Sequence, residues 1–253
     1  MIDLEKIDKV FKDYVSNFDL NNVAIERKYN HTLRVKENCN KLAKALKLNR
    51  EDTHLLVLIG YLHDIGRFKQ IEKYNSTSDE NVNHAELGLE ILFKDNFIRK
   101  FINDNKYDNI IYKAIKYHNR LNLNYELNKK EELFCKAIKD ADKLDLLYIA
   151  AYYDNIKDFY RIPFVEGAKL DSKVKEDFDN FRLVDLKNRK TAIDKLANIL
   201  AFIYDLNLNE SKLLISEKLV KDIVNTFIRT YNVKDKSECL YLEENILKYL
   251  NNT

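Results

Sequence analysis

Apolar positions recur every three to four residues along almost the whole chain, the spacing of an amphipathic helix face and not the alternation of a half-buried strand. Residues 2–18 carry Leu4, Ile7, Val10, Phe11, Tyr14, Val15 and Phe18. Val35, Leu42 and Leu46 mark a helix over 29–48 that ends at Leu48-Asn49. Residues 52–65 contain the run LLVLIGYL and predict a central buried helix, stopped by Gly66 as a C-terminal cap. The stretch 72–83, EKYNSTSDENVN, is polar and predicts a loop. Helical spacing resumes over 84–103, 107–118 and 131–153. The run RIPFVEGA, with the single proline Pro163, reads as an irregular connection, and helices follow near 172–182, 188–206, 211–231 and 238–250. The expected architecture is all-α, with a first domain over 1–165 and a helical C-terminal extension over 166–253 packed on it.

Composition sharpens this by exclusion. The 253 residues include 4 Gly and 1 Pro, where average usage predicts roughly 18 and 13. A β-sandwich or barrel needs those residues at its many turns. There is no G-x-G for a dinucleotide-binding turn and no phosphate-binding loop motif. The 43 Lys and Arg nearly balance the 41 Asp and Glu, for a net charge of +2. That mixed surface is not the footprint of a dedicated nucleic-acid binder. Cys39, Cys135 and Cys239 are far apart and odd in number, which points to a reducing compartment without disulfides. No apolar run approaches the length of a membrane span, and the N-terminus MIDLEKIDKVFKDYV is charged and unlike a signal peptide. The expected location is cytoplasmic.

The scarce histidines carry the chemistry. His31 shares a helix face with Val35, Cys39 and Leu42, and so points inward. His63-Asp64 ends the most apolar helix, His84 begins another with Gly88 one turn on, and His118 follows Ile111, Ala114 and Ile115 on one face. Asp142 shares a face with Cys135, Ile138 and Leu146, where a lone carboxylate is costly to bury. Any one of these is by itself more often a satisfied core or capping residue. Their occurrence together on successive helical segments is what a metal explains. Imidazole with carboxylate suits Zn, Mn, Fe, Co or Ni, and six ligands can hold two ions roughly 3.5–4 Å apart with Asp64 bridging. His54 lies outside the set.

At these residues the sequence resembles the HD-domain superfamily of metal-dependent phosphohydrolases. The pattern H…HD…D is supplied by His31, His63-Asp64 and Asp142, in the contexts HTLRV, LHDIGRF and DADKLD. The resemblance covers roughly residues 20–160 and implies an HD helical bundle with additional C-terminal helices. It assigns His84 and His118 to a second metal position, so that one or two divalent transition-metal ions are the expected cofactors. The region after 165 is similar to an extension in a bacterial subgroup of these proteins. No G-Y-P motif of cyclic-di-GMP phosphodiesterases is present, and Asn119 follows His118 where some two-metal members have a second His.

The activity implied is hydrolysis of a small phosphate ester, such as a nucleotide, by metal-activated water. Arg34 and Arg67 are the expected phosphate clamps, because guanidinium binds phosphate bidentately, although either could pair with a neighbouring carboxylate. Arg120 and Lys143 are further cations near the motifs. Asp64 is the central catalytic carboxylate. Asp140 and Asp145 flank Asp142; either could orient a histidine, and Asp145 is also a candidate general acid or base. Gln70 and Glu72 are candidate substrate contacts at the site mouth. Two other functions stay open: a di-iron oxygenase, since the same six-ligand pattern resembles that branch of the fold, and a non-catalytic metal-stabilised module. A homodimer through the C-terminal helices is conceivable on either.

Overall fold

The computed structural model describes residues 2–80, 82–123, 126–153 and 162–252, and among them there are helices and connections but no strand. Helix α1 (Leu4–Val15) starts where the Asp3 carboxylate accepts from the Glu5 and Lys6 amides, and it buries Ile7, Phe11 and Val15 one turn apart. Helix α2 (Val23–Ala45) is capped by Asn22 and buries Ile25, His31, Thr32, Val35, Cys39 and Leu42. Helix α3 (Arg50–Leu62) is capped by Asn49, and every residue from Leu55 to Leu62 is buried. His54 sits on its first turns, its Nδ1 2.8 Å from the Ile2 carbonyl. Helix α2 runs against α3, and Gly60 permits it: a Cβ there would lie 2.9 Å from Lys36 Cα.

The expected stop at Gly66 is corrected by the structure. Helix α3 ends at Leu62, His63 and Asp64 form a turn, and a new helix, α4 (Ile65–Tyr74), begins at once. Gly66 lies inside α4 and serves as a contact: a Cβ on it would lie 2.2 Å from the His84 carbonyl oxygen and 2.5 Å from Gly88 N. That close approach joins α4 to α5 (His84–Leu89), which Asn83 caps. The helix expected over 84–103 is also interrupted. A π-helical turn follows α5 over Glu90–Lys94. Asn96 then takes a left-handed conformation, φ 54°, which an α-helix does not tolerate, before the short α6 (Ile98–Phe101). Helices α7 (Asp108–Tyr117) and α8 (Lys129–Tyr152) complete this part.

The chain forms two compact units, Met1–Asp142 and Lys143–Thr253, so the division falls inside α8. In the second unit α9 (Ser172–Asp179), α10 (Ala192–Ala201), α11 (Asn209–Lys212), α12 (Glu217–Tyr231) and α13 (Ser237–Asn251) follow one another. Leu196, Leu200, Ile223, Phe227, Leu242 and Ile246 are central to its core. The buried Asp194 carboxylate accepts from the Lys190 and Thr191 amides at 3.0 and 2.9 Å and from Asp171 N at 2.8 Å, closing the loop before α10. The connection containing Pro163 is irregular where described, with Gly167 at φ 72°; its Arg161 lies outside the described residues. Cys39, Cys135 and Cys239 are free and buried. Among the described residues no helix is long and apolar enough to cross a membrane.

Candidate metal centre

Five segments of the first unit bring six side chains to one buried place. His31 comes from the middle of α2, His63 and Asp64 from the α3–α4 turn, His84 from the first residue of α5, His118 from just after α7, and Asp142 from α8. Asp64 occupies the N-cap position of α4, where an aspartate ordinarily accepts from the first amides. Its side chain makes no such bond. The carboxylate turns to the imidazoles instead.

The six residues fall into two triads, His31–His63–Asp142 and Asp64–His84–His118. In the first, His31 Nε2 lies 3.3 Å from His63 Nε2 and 3.2 Å from Asp142 Oδ1. In the second, His84 Nε2 lies 2.8 Å from His118 Nε2 and 3.1 Å from Asp64 Oδ1. Asp64 is a member of the second and reaches toward the first. Its Oδ1 faces His84 and His118, at 3.1 and 3.8 Å, while its Oδ2 faces His31 and His63, at 3.5 and 3.7 Å.

The hydrogen bonds at the outer ring nitrogens show what these atoms fit. His63 Nδ1 is 2.8 Å from the Gly60 carbonyl and His118 Nδ1 2.7 Å from the Ile115 carbonyl. A carbonyl only accepts, so both rings carry their proton on Nδ1 and turn a bare Nε2 lone pair inward. His84 Nδ1 meets the Asp79 carboxylate at 2.7 and 2.9 Å, which places a proton on that nitrogen, and in the neutral ring leaves Nε2 bare. Neutral imidazoles would then oppose lone pair to lone pair at 2.8 Å between His84 and His118. A cation bound by both nitrogens removes that conflict, and Nε2 together with carboxylate oxygen is the donor set of a first-row transition metal.

The electrostatics agree. Burial, partly opposed by Asp64, pushes the His63 imidazole down to about 4, so it stays neutral. Burial alone would raise the Asp64 carboxyl, but Lys28, His63 and the neighbouring imidazoles outweigh it and hold Asp64 ionised, well below the usual range. The Asp142 carboxyl is likewise lowered against its burial, chiefly by His31. At His84 burial works downward, yet the bonds to Asp64 and Asp79 prevail and raise it. The pocket thus favours positive charge among its donors.

Two participants escaped the sequence reading. Lys28 Nζ lies 2.6 Å from Asp64 Oδ2. Its signal was local: Lys28 stands three residues before His31, on the same face of α2. Asp79 sits in the polar stretch and gave no comparable signal, because nothing in that stretch is periodic.

The expected cations are placed variously. Arg34 is half-buried on α2, three residues past His31. Arg67 is not presented as a simple phosphate clamp. Its Nη1 donates to Gln70 Oε1, the Thr77 carbonyl and Asp79 Oδ1 at 2.8, 2.7 and 2.9 Å, and its Nη2 reaches Asp79 Oδ2 at 3.4 Å. Its Nε is a buried donor without a hydrogen bond, 3.6 Å from Asp64 Oδ1. Arg120 pairs with Glu86 at 2.9 Å, and Lys143 with Asp205. Gln70 is buried and donates to the Ser78 and Val82 carbonyls at 2.9 and 2.7 Å, so it supports the loop. Glu72 is exposed and pairs with Lys69. Asp140 and Asp145 are fully buried on α8.

Compared with known families, residues 29–147 match the HD domain. This chain carries an HD domain. The matched span contains all six centre residues and also Asp145; Lys28 lies one residue before it. No curated protein matches the chain, and no solved structure does. HD domains bind divalent metals, and the two His/Asp groups described above could hold such ions.

Proposed function

We propose that this HD domain hydrolyses a small phosphate ester, nucleotide or similar, using two divalent transition-metal ions. The observation that carries this reading is the Asp64 carboxylate, whose two oxygens each face a different histidine pair. Mn, Fe, Co, Ni and Zn all suit the donors. Bound there, such ions lower the pKa of a coordinated water toward neutrality and stabilise charge on phosphoryl oxygens. The protein's own part is to keep Asp64 and Asp142 ionised, to keep His63 neutral, and to hold the Nε2 atoms of His63, His84 and His118 inward through their outer nitrogens. Arg34, one turn past His31, is the side chain we assign to the substrate phosphate, while Lys28 is held by Asp64 and supports the centre. Arg67 is committed to Asp79, and we assign it to supporting the centre, since a bidentate phosphate contact would break that ion pair. Asp145, three residues past Asp142, remains our candidate for proton transfer.

The test is turnover of phosphomonoesters and phosphodiesters by the purified chain loaded in turn with each metal. We expect metal-dependent release of phosphate or nucleotide, lost in Asp64→Ala. A chain with both ions bound that is inert across the panel would sink the proposal. So would oxygen consumption by a two-iron form without hydrolysis, which would assign the centre to oxygenase chemistry.

A further inference from the structure

The outer nitrogens of His63, His118 and His84 are held in two different ways. His63 and His118 bond to carbonyls three residues back in their own chain segments, Gly60 and Ile115, so their orientation follows from local backbone. His84 depends on a side chain from another segment. Asp79 lies at the surface between α4 and α5, and both of its oxygens accept from His84 Nδ1, at 2.7 and 2.9 Å. Asp79 is itself held from three sides. Arg67 pairs with it at 2.9 Å, Gln70 Nε2 and the His84 amide reach Oδ1 at 3.4 and 3.3 Å, and Asn119 Nδ2 reaches Oδ2 at 3.3 Å. Arg67 and Gln70 also fasten the surrounding backbone through Thr77, Ser78 and Val82.

We propose that Asp79 is a positioning residue that sets the affinity of one metal position, the Asp64–His84–His118 triad, and leaves the His31–His63–Asp142 triad unaffected. The proposal rests on the two-ion reading above. A carboxylate partner fixes the imidazole tautomer and makes Nε2 a stronger donor than a carbonyl partner does, and losing such a partner costs about 10–100-fold in metal affinity. Asp79 touches a ligand of one triad and none of the other, so the two positions become unequal in what they need from the rest of the protein. A surface loop thereby governs whether the second ion stays.

Titration of the metal-free full-length chain with Co(II), followed by visible absorption, tests this without reference to turnover. The unaltered chain should take up two equivalents. Asp79→Ala should weaken one binding step by about 10–100-fold and leave the other unchanged. Asp79→Asn, whose amide oxygen still accepts the Nδ1 proton without the charge, should fall between. In a His84→Ala background, Asp79→Ala should add nothing, whereas in a His31→Ala background its full effect should persist. Thermal melts of each variant report on folding separately, and a loop merely loosened would lower the melting temperature without separating the two affinities. Fewer than two equivalents in the unaltered chain overturns the two-ion reading and the division of labour with it. Two equivalents, with both affinities lowered together or neither lowered in Asp79→Ala, overturns the assignment of Asp79 alone.

Discussion

Lys28 and Asp64 form the tightest charge contact of the centre, 2.6 Å, with Asp64 buried. A buried carboxylate stripped of its cation is destabilising by about 3–5 kcal/mol. Lys28→Met should therefore lower the urea midpoint markedly in chelator-treated protein and much less in metal-loaded protein, where the ions supply the missing charge. Equal losses in both forms would refute this. Acid should act through His63. Its folded pKa of about 4 lies below the value near 6.5 in the unfolded chain. Between those values the unfolded chain takes a proton that the folded chain refuses, so stability falls as pH drops through that window, by on the order of 3 kcal/mol in all. His84, shifted upward, has the opposite sign: its contribution is complete below 6.5 and is lost only as pH rises through its folded value. The lowered Asp64, Asp142 and Asp79 carboxyls add their losses only at more acidic pH. Urea melts of chelated protein at pH 7, 5.5 and 4.5 check the slope. His31, His118 and Asp142 were legible as candidates because a polar side chain following an apolar helical face is visible in spacing, and His63, Asp64 and His84 because they stand at the ends of apolar helical segments. Lys28 and Asp79 were not, since a lysine on a charged helix and an aspartate in a polar loop resemble dozens of solvated neighbours.

Helix α3 illustrates how an element can be read correctly and ended wrongly. Its apolar run predicted a buried helix, and Leu55 to Leu62 are all buried. Glycine commonly caps helices, so the sequence predicts the stop at Gly66, yet the stop is the His63-Asp64 turn and Gly66 is a contact between α4 and α5. That distinction is testable. A methyl group on Gly66 meets backbone atoms at 2.2 and 2.5 Å, whereas one on Gly88 meets a side-chain carbon of Ile65 at 3.3 Å. Gly66→Ala should destabilise by about 3 kcal/mol or more and disturb metal uptake by moving His84, and Gly88→Ala should cost about 1 kcal/mol or less. Chemical denaturation and Co(II) spectra of the pair decide it; similar behaviour of the two would contradict the packing. The interruption at 90–98 was illegible for a different reason. Apolar spacing continues through Leu92, Phe97 and Ile98 while the backbone passes through a π turn and a left-handed Asn96.

At the scale of the whole molecule, metal and stability are linked in one unit. Both candidate triads lie in Met1–Asp142, and the described residues of the second unit hold no comparable group. Ions that bind only the folded chain stabilise it, by about 2.7 kcal/mol per site at a hundredfold excess over Kd. We expect hydrogen exchange on metal addition to slow most around the α3–α4 turn and the start of α5, and little in α12 and α13. Uniform slowing would show that the units respond as one. The sequence by itself determined the helical class, which follows from local periodicity, and it singled out six candidate ligands from polar groups set among apolar ones and from the resemblance their motifs carry. Only the tertiary structure decided which of the six residues lie together in each triad, that Asp64 turns one oxygen to each histidine pair, and that Lys28 and Asp79 contact the cluster. Those depend on which helix ends meet, and the meeting is set by packing between segments far apart in the chain.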